Sequence, residues 1–281
     1  MNLAEAIYIG SGNLSEADVP EPIRETKLLL AYSVGRDEVF LIAHPEYEMT
    51  STEFAKFEDS ILRRAAREPY QYIVGKQEFY GLDFIVTPAV LIPRPETEML
   101  VERSIELIQE ISSPRFFEIG AGSGCISISI LANVPDASGV AVDISNEALK
   151  VASMNVDKHN VTDRLELKIS DVFAGLNDES FDLIVSNPPY VRSEDIPDLQ
   201  PEVRDYEPVR ALTDGGSGLN IISRIISGAS KRLVPGGTLL IEIGIGQDHE
   251  VLELVSGKEW RDGIVVKDFQ GIPRMLQVRR R

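Results

Sequence analysis

Several features that would define a class of protein are scarce in this sequence. Among its 281 residues there is one cysteine, Cys125, so no disulfide can form within the chain. Disulfides persist in oxidising compartments, so their absence favours a reducing one, the cytoplasm. No apolar run approaches the roughly 18 residues of a membrane-spanning helix. The N-terminus also lacks the basic and apolar regions of a signal peptide. We therefore expect a cytoplasmic protein without a membrane partner.

Metal ligands and basic charge are also scarce. The histidines His44, His159 and His249 lie far apart and form no metal-ligand spacing, so we expect no metal. The net charge is −17, and acidic residues exceed basic ones on both sides of residue 76. Proteins that bind nucleic acid usually present a basic face to the phosphates. The net charge therefore argues against nucleic acid as a direct partner. Only a local basic patch could still bind it.

The chain changes pattern along its length. Residues 1–76 predict helices, including one that begins with the capping-box spacing of Thr50 and Glu53. Residues 77–92 are rich in β-forming residues around turn residues and predict a β-hairpin linker. Strand and helix patterns alternate from about residue 115, which predicts a doubly wound, Rossmann-like parallel sheet in a domain of residues 93–281. The expected α/β fold thus has a small N-terminal helical domain joined to the sheet domain by the hairpin.

Three arginines cluster near the end of a predicted helix in the first domain. They are Arg63, Arg64 and Arg67. A helix C-terminus favours cations, so one interpretation is a solvated face of that helix. The other interpretation is a docking patch for a partner.

One strand in the second domain ends abruptly. The apolar run Leu183-Ile184-Val185 predicts a buried parallel strand, and the sequence Ser-Asn-Pro-Pro-Tyr follows it, ending at Tyr190. Proline cannot donate to a sheet ladder and holds the preceding residue in extended geometry. The side-chain amide of Asn187 and the carbonyl of Pro188 are therefore available to a ligand. Parallel sheets bind ligands at this end of their strands.

A glycine-rich turn follows the first strand of the sheet domain. Its sequence is Glu118-Ile119-Gly120-Ala121-Gly122-Ser123-Gly124. By itself such a turn could serve a dinucleotide, a phosphate or plain packing, and the G-x-G-x-G spacing disfavours the dinucleotide. Asp143 ends the next strand, 23 residues after Gly120, where an acid either bonds a ribose diol or caps the following helix.

Together, the turn and the acid favour a nucleoside pocket. Asp171, after the third strand, then either lies over a base edge or caps a short turn. S-adenosylmethionine is a nucleoside with a sulfonium methyl, and it needs no phosphate cradle, in agreement with the missing Walker lysine. Glu118 is placed to pair with its amino group. Cys125, at the following helix start, is either a small buried hydrophobe or a thiol with a lowered pKa.

The strand exit suits methyl transfer to a planar amino group. The lone pair of an amide or aromatic amine is delocalised and poorly nucleophilic. Asn187 Oδ1 and the Pro188 carbonyl can each accept one N–H, which orients the acceptor and stabilises the positive charge that grows on its nitrogen. Tyr190 would add a ring wall. A merely stiff turn is the alternative. These residues predict an NH₂ acceptor without identifying the molecule that carries it.

The chain resembles the bacterial peptide chain release factor glutamine methyltransferases, the HemK/PrmC family. The most particular signature is Leu91-Ile92-Pro93-Arg94-Pro95-Glu96-Thr97-Glu98. Further similarity lies at residues 63–64, 68–69, 72–75, 79–81, 84, 207–208, 211–212, 215–216, 218–219, 242–244, 247, 268, 271 and 274. Asn-Pro-Pro-Tyr adds little, because amino-methyltransferases of several kinds share it. Two positions depart from the family pattern: Glu118 replaces an aspartate, and Val172 replaces a residue that is often aromatic.

The resemblance implies a class I methyltransferase domain that uses S-adenosylmethionine. The implied substrate is the glutamine of the Gly-Gly-Gln motif in class I peptide chain release factors, methylated at its side-chain nitrogen, with residues 1–76 docking the release factor. It places Val172 beside the cofactor. It leaves Arg94 and Glu96 either touching the substrate with Pro189, or bracing their loop, or both. We expect a monomer.

Two other functions compete with this one. Asn-Pro-Pro-Tyr would also suit a DNA or RNA amino-methyltransferase acting on adenine N6 or cytosine N4, although the acidic charge opposes it. A non-catalytic module could use the nucleoside pocket as a sensor, although the intact Asn187 opposes that.

Overall fold

The computed structural model describes residues 1–175 and 179–281. The chain forms two compact units. Unit 1 contains residues 1–76 and 200–206, and unit 2 contains residues 77–199 and 207–281.

Unit 1 is helical. Its helices before residue 76 are α1 Leu3–Glu16, α2 Pro22–Val34, α3 Glu38–Ala43, α4 Ser51–Ala65 and α5 Tyr70–Val74. The capping box predicted for α4 is confirmed: Thr50 Oγ1 accepts from the Glu53 amide, and the Glu53 carboxylate accepts from the Thr50 amide. Leu29, Leu30 and Phe57 belong to the core that these helices bury.

Unit 2 is built on strands and helices in alternation. Its strands are β1 Lys76–Phe79, β2 Leu82–Ile85, β3 Arg115–Ile119, β4 Ser138–Asp143, β5 Leu165–Ile169, β6 Phe181–Ser186, β7 Leu233–Glu242, β8 Trp260–Lys267 and β9 Pro273–Arg280. Its helices are α6 Glu98–Ile108, α7 Cys125–Asn133, α8 Asn146–Lys158, α10 Val209–Leu212, α11 Asn220–Ala229 and α12 Asp248–Leu254, whereas α9 Pro201–Tyr206 belongs to unit 1.

The arginine cluster at the end of α4 is not a solvated face, and that interpretation was wrong. Arg64 is only 5% exposed: its Nε donates to Glu25 at 3.0 Å, and its Nη1 lies 3.0 Å from a carboxylate oxygen of Glu202. Arg67 also donates twice to Glu202, at 2.8 Å for each bond. Glu202 lies on α9, so its carboxylate reaches these arginines only because the chain returns to unit 1 after residue 199.

The main sheet confirms the predicted doubly wound architecture. Within the described residues its strand order is β5-β4-β3-β6-β7-β9-β8. The strands from β5 to β7 pair in parallel, and β9 pairs antiparallel with both β7 and β8. The chain moves outward from β3 to β5 and then returns to β6 on the other side of β3. The order therefore reverses between β3 and β6, where a doubly wound sheet opens its ligand crevice.

Both faces of this sheet are covered, as parallel sheets require. Along β6 the buried residues alternate, with Leu183 and Val185 packing on the side of α6 and α7. Ile184 packs on the opposite side with Ile222 and Ile225 of α11. The hairpin strands β1 and β2 form a separate two-stranded sheet. This alternation fixes the strand register and so determines which residues stand at the carboxyl edge.

Candidate active site

The carboxyl ends of β3 and β6 open into a cavity of about 300 Å³. The predicted site residues that line it are Arg94, Glu118, Gly120, Ala121, Gly122, Ser123, Asp143, Asp171, Val172, Asn187, Pro188 and Pro189. Among the described residues, Gly124, Tyr190 and Glu96 are predicted site residues outside this lining. Glu96 is exposed. The strand reversal thus brings together segments that are up to about 95 residues apart in the chain.

The glycine turn is held to the neighbouring strand end by its own amides. The amides of Gly120 and Ala121 both donate to the carbonyl of Val142, at 2.8 and 2.9 Å. The amide of Gly122 donates to the Asp143 carboxylate at 2.9 Å. Gly120 has a φ of +80°, a left-handed conformation that side chains other than hydrogen disfavour. The glycines therefore allow the turn to fold back over β4 before α7 begins.

Asp143 does not cap the following helix. Its second carboxylate oxygen accepts the amide of Ser145 at 2.8 Å, and it is Ser145 whose hydroxyl accepts the Ala148 amide to cap α8. Asp143 thus braces the glycine turn on one side and the helix entry on the other. This arrangement holds its carboxylate at the cavity wall.

Glu118 carries an unpaired oxygen in a fully buried position. The amide and hydroxyl of Ser127 both donate to Oε2, whereas Oε1 has no hydrogen-bond partner in the part of the chain that the structure describes. Burial raises the pKa of this carboxyl to about 8. An unpaired buried acceptor is costly, and Glu118 lines the cavity. A cationic amino group on a ligand would supply the missing partner.

The segment after β5 meets the cavity through a strained residue. Val172 is 7% exposed and has a φ of +57°, which a β-branched side chain rarely adopts. Such strain persists only where the surrounding structure imposes it, and it is concentrated at functional sites. The neighbouring carboxylate of Asp171 pairs with Arg224 at 2.8 Å.

Cys125 is a small buried hydrophobe, as one of the two interpretations held. Burial raises the pKa of its thiol to about 12, so the alternative of an activated thiol was wrong. The helix start behind the glycine turn does not compensate for the loss of water around the sulfur.

The Asn-Pro-Pro-Tyr exit from β6 is anchored at both ends. Asn187 Nδ2 donates to Thr97 Oγ1 at 3.0 Å. The Tyr190 hydroxyl donates to Glu242 Oε1 at 3.1 Å, and the Tyr190 carbonyl accepts from Gln247 Nε2 at 3.1 Å. These bonds explain why Tyr190 lies outside the cavity lining, since its hydroxyl is drawn toward the end of β7.

The neighbouring backbone fits closely around this exit. A Cβ atom on Gly218 would stand 2.0 Å from the Tyr190 carbonyl oxygen, and the φ of Gly218 is +79°. Only glycine satisfies both the conformation and the close approach.

Arg94 reaches the cavity from the segment before α6. Its guanidinium donates to Glu207, which also accepts the amide of Ile92 at 3.1 Å. Glu207 is 4% exposed, and burial raises the pKa of its carboxyl although Arg94 opposes this. A buried acid thus holds Arg94 at the cavity.

Two residues near the site, Thr97 and Glu242, were not among the predicted site residues. The Thr97 hydroxyl donates to Glu242 Oε2 at 2.7 Å and makes no capping bond to α6 in the described structure. Glu242 ends β7, and β7 pairs in parallel with β6. The acid at the end of β7 could therefore have been recognised as a site residue, but only once β7 was known to lie beside the strand that leads into Asn-Pro-Pro-Tyr.

Two features bear on alternative sites. In residues 1–175 and 179–281, no cluster of histidine, cysteine, aspartate or glutamate is arranged to hold a metal ion. Over the same residues, no helix has the length and apolar character needed to cross a membrane.

Comparisons with known proteins agree over both parts of the chain. The family described as PrmC N-terminal domain matches residues 5–75, and the family described as Methyltransferase small domain matches residues 97–202. The release factor glutamine methyltransferase of Koribacter versatilis (strain Ellin345) is 40% identical, over 98% of this chain and 98% of its own length. The protein of the same name from Geobacter sulfurreducens is 41% identical, over 94% and 92%.

A solved structure extends the comparison to the fold. The crystal structure of a methyltransferase from Pyrococcus furiosus has a TM-score of 0.54 at 17% identity. It covers 80% of this chain and 98% of that one. At this identity the likeness concerns the fold alone.

Proposed function

Because the chain belongs to the release factor glutamine methyltransferase family, we propose that it methylates the side-chain nitrogen, N5, of the glutamine in the Gly-Gly-Gln motif of class I peptide chain release factors. The observation that carries the proposal is the orientation of Asn187. Its Nδ2 is bonded to Thr97, and its Oδ1 has no hydrogen-bond partner among the described residues. Asn187 and Pro188 both line the cavity. Two oxygens are thus available where an amide NH₂ would enter.

The proposed methyl donor is S-adenosylmethionine, which when bound supplies an electrophilic methyl group. Asp143 would bond the ribose, Asp171 and Val172 would meet the base, and the turn from Gly120 to Gly124 would lie against the nucleoside. The unpaired Glu118 Oε1 suits its ammonium group. This donor set fits a nucleoside with a cationic amino-acid tail.

The residues of the strand exit act by accepting hydrogen bonds from the substrate amide, which holds that amide in a fixed position. Asn187 Oδ1 and the Pro188 carbonyl accept the two N–H bonds of the glutamine amide, so the nitrogen is fixed with one face toward the methyl group. As positive charge develops on that nitrogen, both oxygens stabilise it without any reorganisation. The product then loses a proton readily, so this arrangement requires no strong general base.

The three segments of the chain have separate parts in this function. Residues 1–76 would dock the release factor, residues 77–92 would link the domains, and residues 93–281 would perform the transfer. Arg94 is a candidate for contact with the substrate, since Glu207 holds it at the cavity. We propose that the enzyme works as a cytoplasmic monomer on protein, without direct contact to nucleic acid.

The experiment that tests the function is transfer of labelled methyl from S-adenosylmethionine to a purified class I release factor. We expect one methyl group on the motif glutamine, located by mass spectrometry, and loss of label when that glutamine is replaced. Label that persists after the replacement would refute the assigned acceptor. Methylation of bare DNA or RNA under the same conditions, with none on the release factor, would establish the nucleic-acid alternative instead.

A further inference from the structure

Three side chains in unit 2 form a continuous hydrogen-bonded chain that ends at the proposed catalytic amide. Glu242 Oε2 accepts from Thr97 Oγ1 at 2.7 Å, and Thr97 Oγ1 accepts from Asn187 Nδ2 at 3.0 Å. Thr97 and Glu242 are 2% and 4% exposed, so water does not compete freely for these bonds. They lie before α6 and at the end of β7, and the fold alone brings them together.

The number of protons that these side chains can donate determines which group donates and which accepts in each of these hydrogen bonds. A threonine hydroxyl has one proton to donate, and here it donates to Oε2 of Glu242, whose Oε1 accepts from Tyr190. The Thr97 proton is therefore committed to Glu242, and Thr97 Oγ1 is left with lone pairs. Of the two ends of the Asn187 amide, only Nδ2 can bond to lone pairs. An amide rotated by 180° would set its oxygen against the Thr97 oxygen.

We propose that Thr97, held by Glu242, is the positioning residue that sets the amide of Asn187 with Oδ1 toward the methyl acceptor. This inference rests on the proposed function, which assigns Oδ1 the task of accepting an N–H from the substrate. In the rotated amide, Nδ2 would face the substrate NH₂, donor against donor, and the acceptor nitrogen would not be held. An isolated asparagine has no preference of this kind strong enough to exclude the wrong orientation.

Two features of the surroundings support a dedicated role for Thr97. A threonine at the start of a helix normally caps it, but the Thr97 hydroxyl makes no such bond within the described residues. Its partner Glu242 is a buried acid, and buried acids are stable only when donors satisfy them. Here the donors are Thr97 and Tyr190, and both belong to the segments that build the methyl-acceptor side of the cavity.

The kinetic test uses Thr97→Val, which keeps the shape of the side chain and removes the hydroxyl. We expect kcat to fall about 100-fold, the scale on which a misplaced catalytic group acts, while the Kd for S-adenosylhomocysteine stays within about twofold. Thr97→Ser restores the hydroxyl and should keep kcat within a few-fold of wild type. Thr238→Val makes the same change at a buried position on β7 away from the cavity, and should leave kcat unchanged.

A double variant separates positioning from a general structural effect. If Thr97 acts through Asn187, then adding Thr97→Val to Asn187→Ala should cause no further loss of kcat. Losses that multiply in the double variant would overturn the proposal, as would a Thr97→Val enzyme with wild-type kcat.

A measurement without substrate keeps this inference separate from the proposed function. The ¹H–¹⁵N signals of the Asn187 side-chain amide are identified by their loss in Asn187→Ala. We expect one of the two Nδ2 protons to exchange slowly with water in wild type and Thr97→Ser, and rapidly in Thr97→Val. Equal exchange in all three proteins would overturn the positioning role. Slow exchange in an enzyme that does not methylate release factor would leave the positioning role intact and refute the function.

Discussion

The hydroxyl of Tyr190 donates a 3.1 Å hydrogen bond to Oε1 of Glu242, 52 residues further along the chain. Burial raises the pKa of both groups, so the phenol remains protonated and keeps its role as donor. The other oxygen of the same carboxylate accepts from Thr97. One buried acid therefore anchors the last residue of Asn-Pro-Pro-Tyr and the residue that contacts its asparagine.

Tyr190→Phe removes the phenol and keeps the ring. We expect kcat to fall about tenfold, because a lost hydrogen bond of about 1.4 kcal/mol at this anchor corresponds to that factor. Steady-state methylation of the release factor measures it. Thr238→Val is the control, since it also removes a hydroxyl at a buried position but lies on β7 away from the cavity. A Tyr190→Phe enzyme as active as Thr238→Val would contradict the anchoring role.

Asn187→Ala removes one of the two oxygens proposed to hold the substrate amide. We expect kcat to fall by about 10²- to 10³-fold, as for the loss of an oriented group that acts on developing charge. The Kd for S-adenosylhomocysteine, from calorimetry, should change little because Glu118, Asp143 and the glycine turn remain. Asn133→Ala, at the end of α7, serves as control. Unchanged turnover would remove Asn187 from the mechanism.

We expect Glu118 to couple binding of the proposed cofactor to the release of a proton. Its pKa of about 8 means that at pH 7 about nine-tenths of the free protein carries the proton there. A ligand ammonium that pairs with Glu118 requires the ionised form, so binding S-adenosylhomocysteine at pH 7 should release close to one proton. Calorimetry in buffers of different ionisation enthalpy measures this number. Glu118→Gln should release none, and equal release from both proteins would exclude the pairing.

The same group affects the pH dependence of stability without ligand. Its pKa in the folded protein lies above the ordinary value of 4.5, so folding favours the protonated form. That stabilisation is complete below about pH 4.5 and is lost as the pH rises toward about 8. The Tm of Glu118→Gln relative to wild type should therefore increase across this range. A constant difference in Tm would contradict the raised pKa.

Glu202 joins α9 to the other helices of unit 1. Glu202→Ala leaves the buried guanidinium of Arg64 with Glu25 alone and removes both bonds from Arg67. We expect the free energy of unfolding, from urea denaturation, to fall by about 3 kcal/mol, as when one partner of a buried ion pair is lost. Asp205→Ala on the same helix breaks an exposed pair with Arg204 and should leave the midpoint unchanged. Equal midpoints for the two variants would contradict the burial argument.

Local sequence patterns predicted those parts of the protein that depend on local physics. Thr50 and Glu53 specified a capping box, the glycines a tight turn, and Pro188 and Pro189 the end of β6. Each of these follows from the conformations open to a few neighbouring residues. The interpretation of Arg64 as solvated was wrong because its surroundings include Glu202. The position of Glu202 depends on the path of the chain after residue 199, which no local pattern predicts.

The amino-acid sequence by itself determined the alternating strand and helix pattern, the strand end that offers two oxygens, and, by resemblance, the family. Only the tertiary structure decided the orientation of the Asn187 amide that carries one of those oxygens. Thr97, Asn187 and Glu242 meet because β6 and β7 pair in parallel and the segment before α6 lies over their ends. The orientation of an amide depends on which donors and acceptors surround it. Those partners come from residues 97, 187 and 242, and no local pattern links positions so far apart.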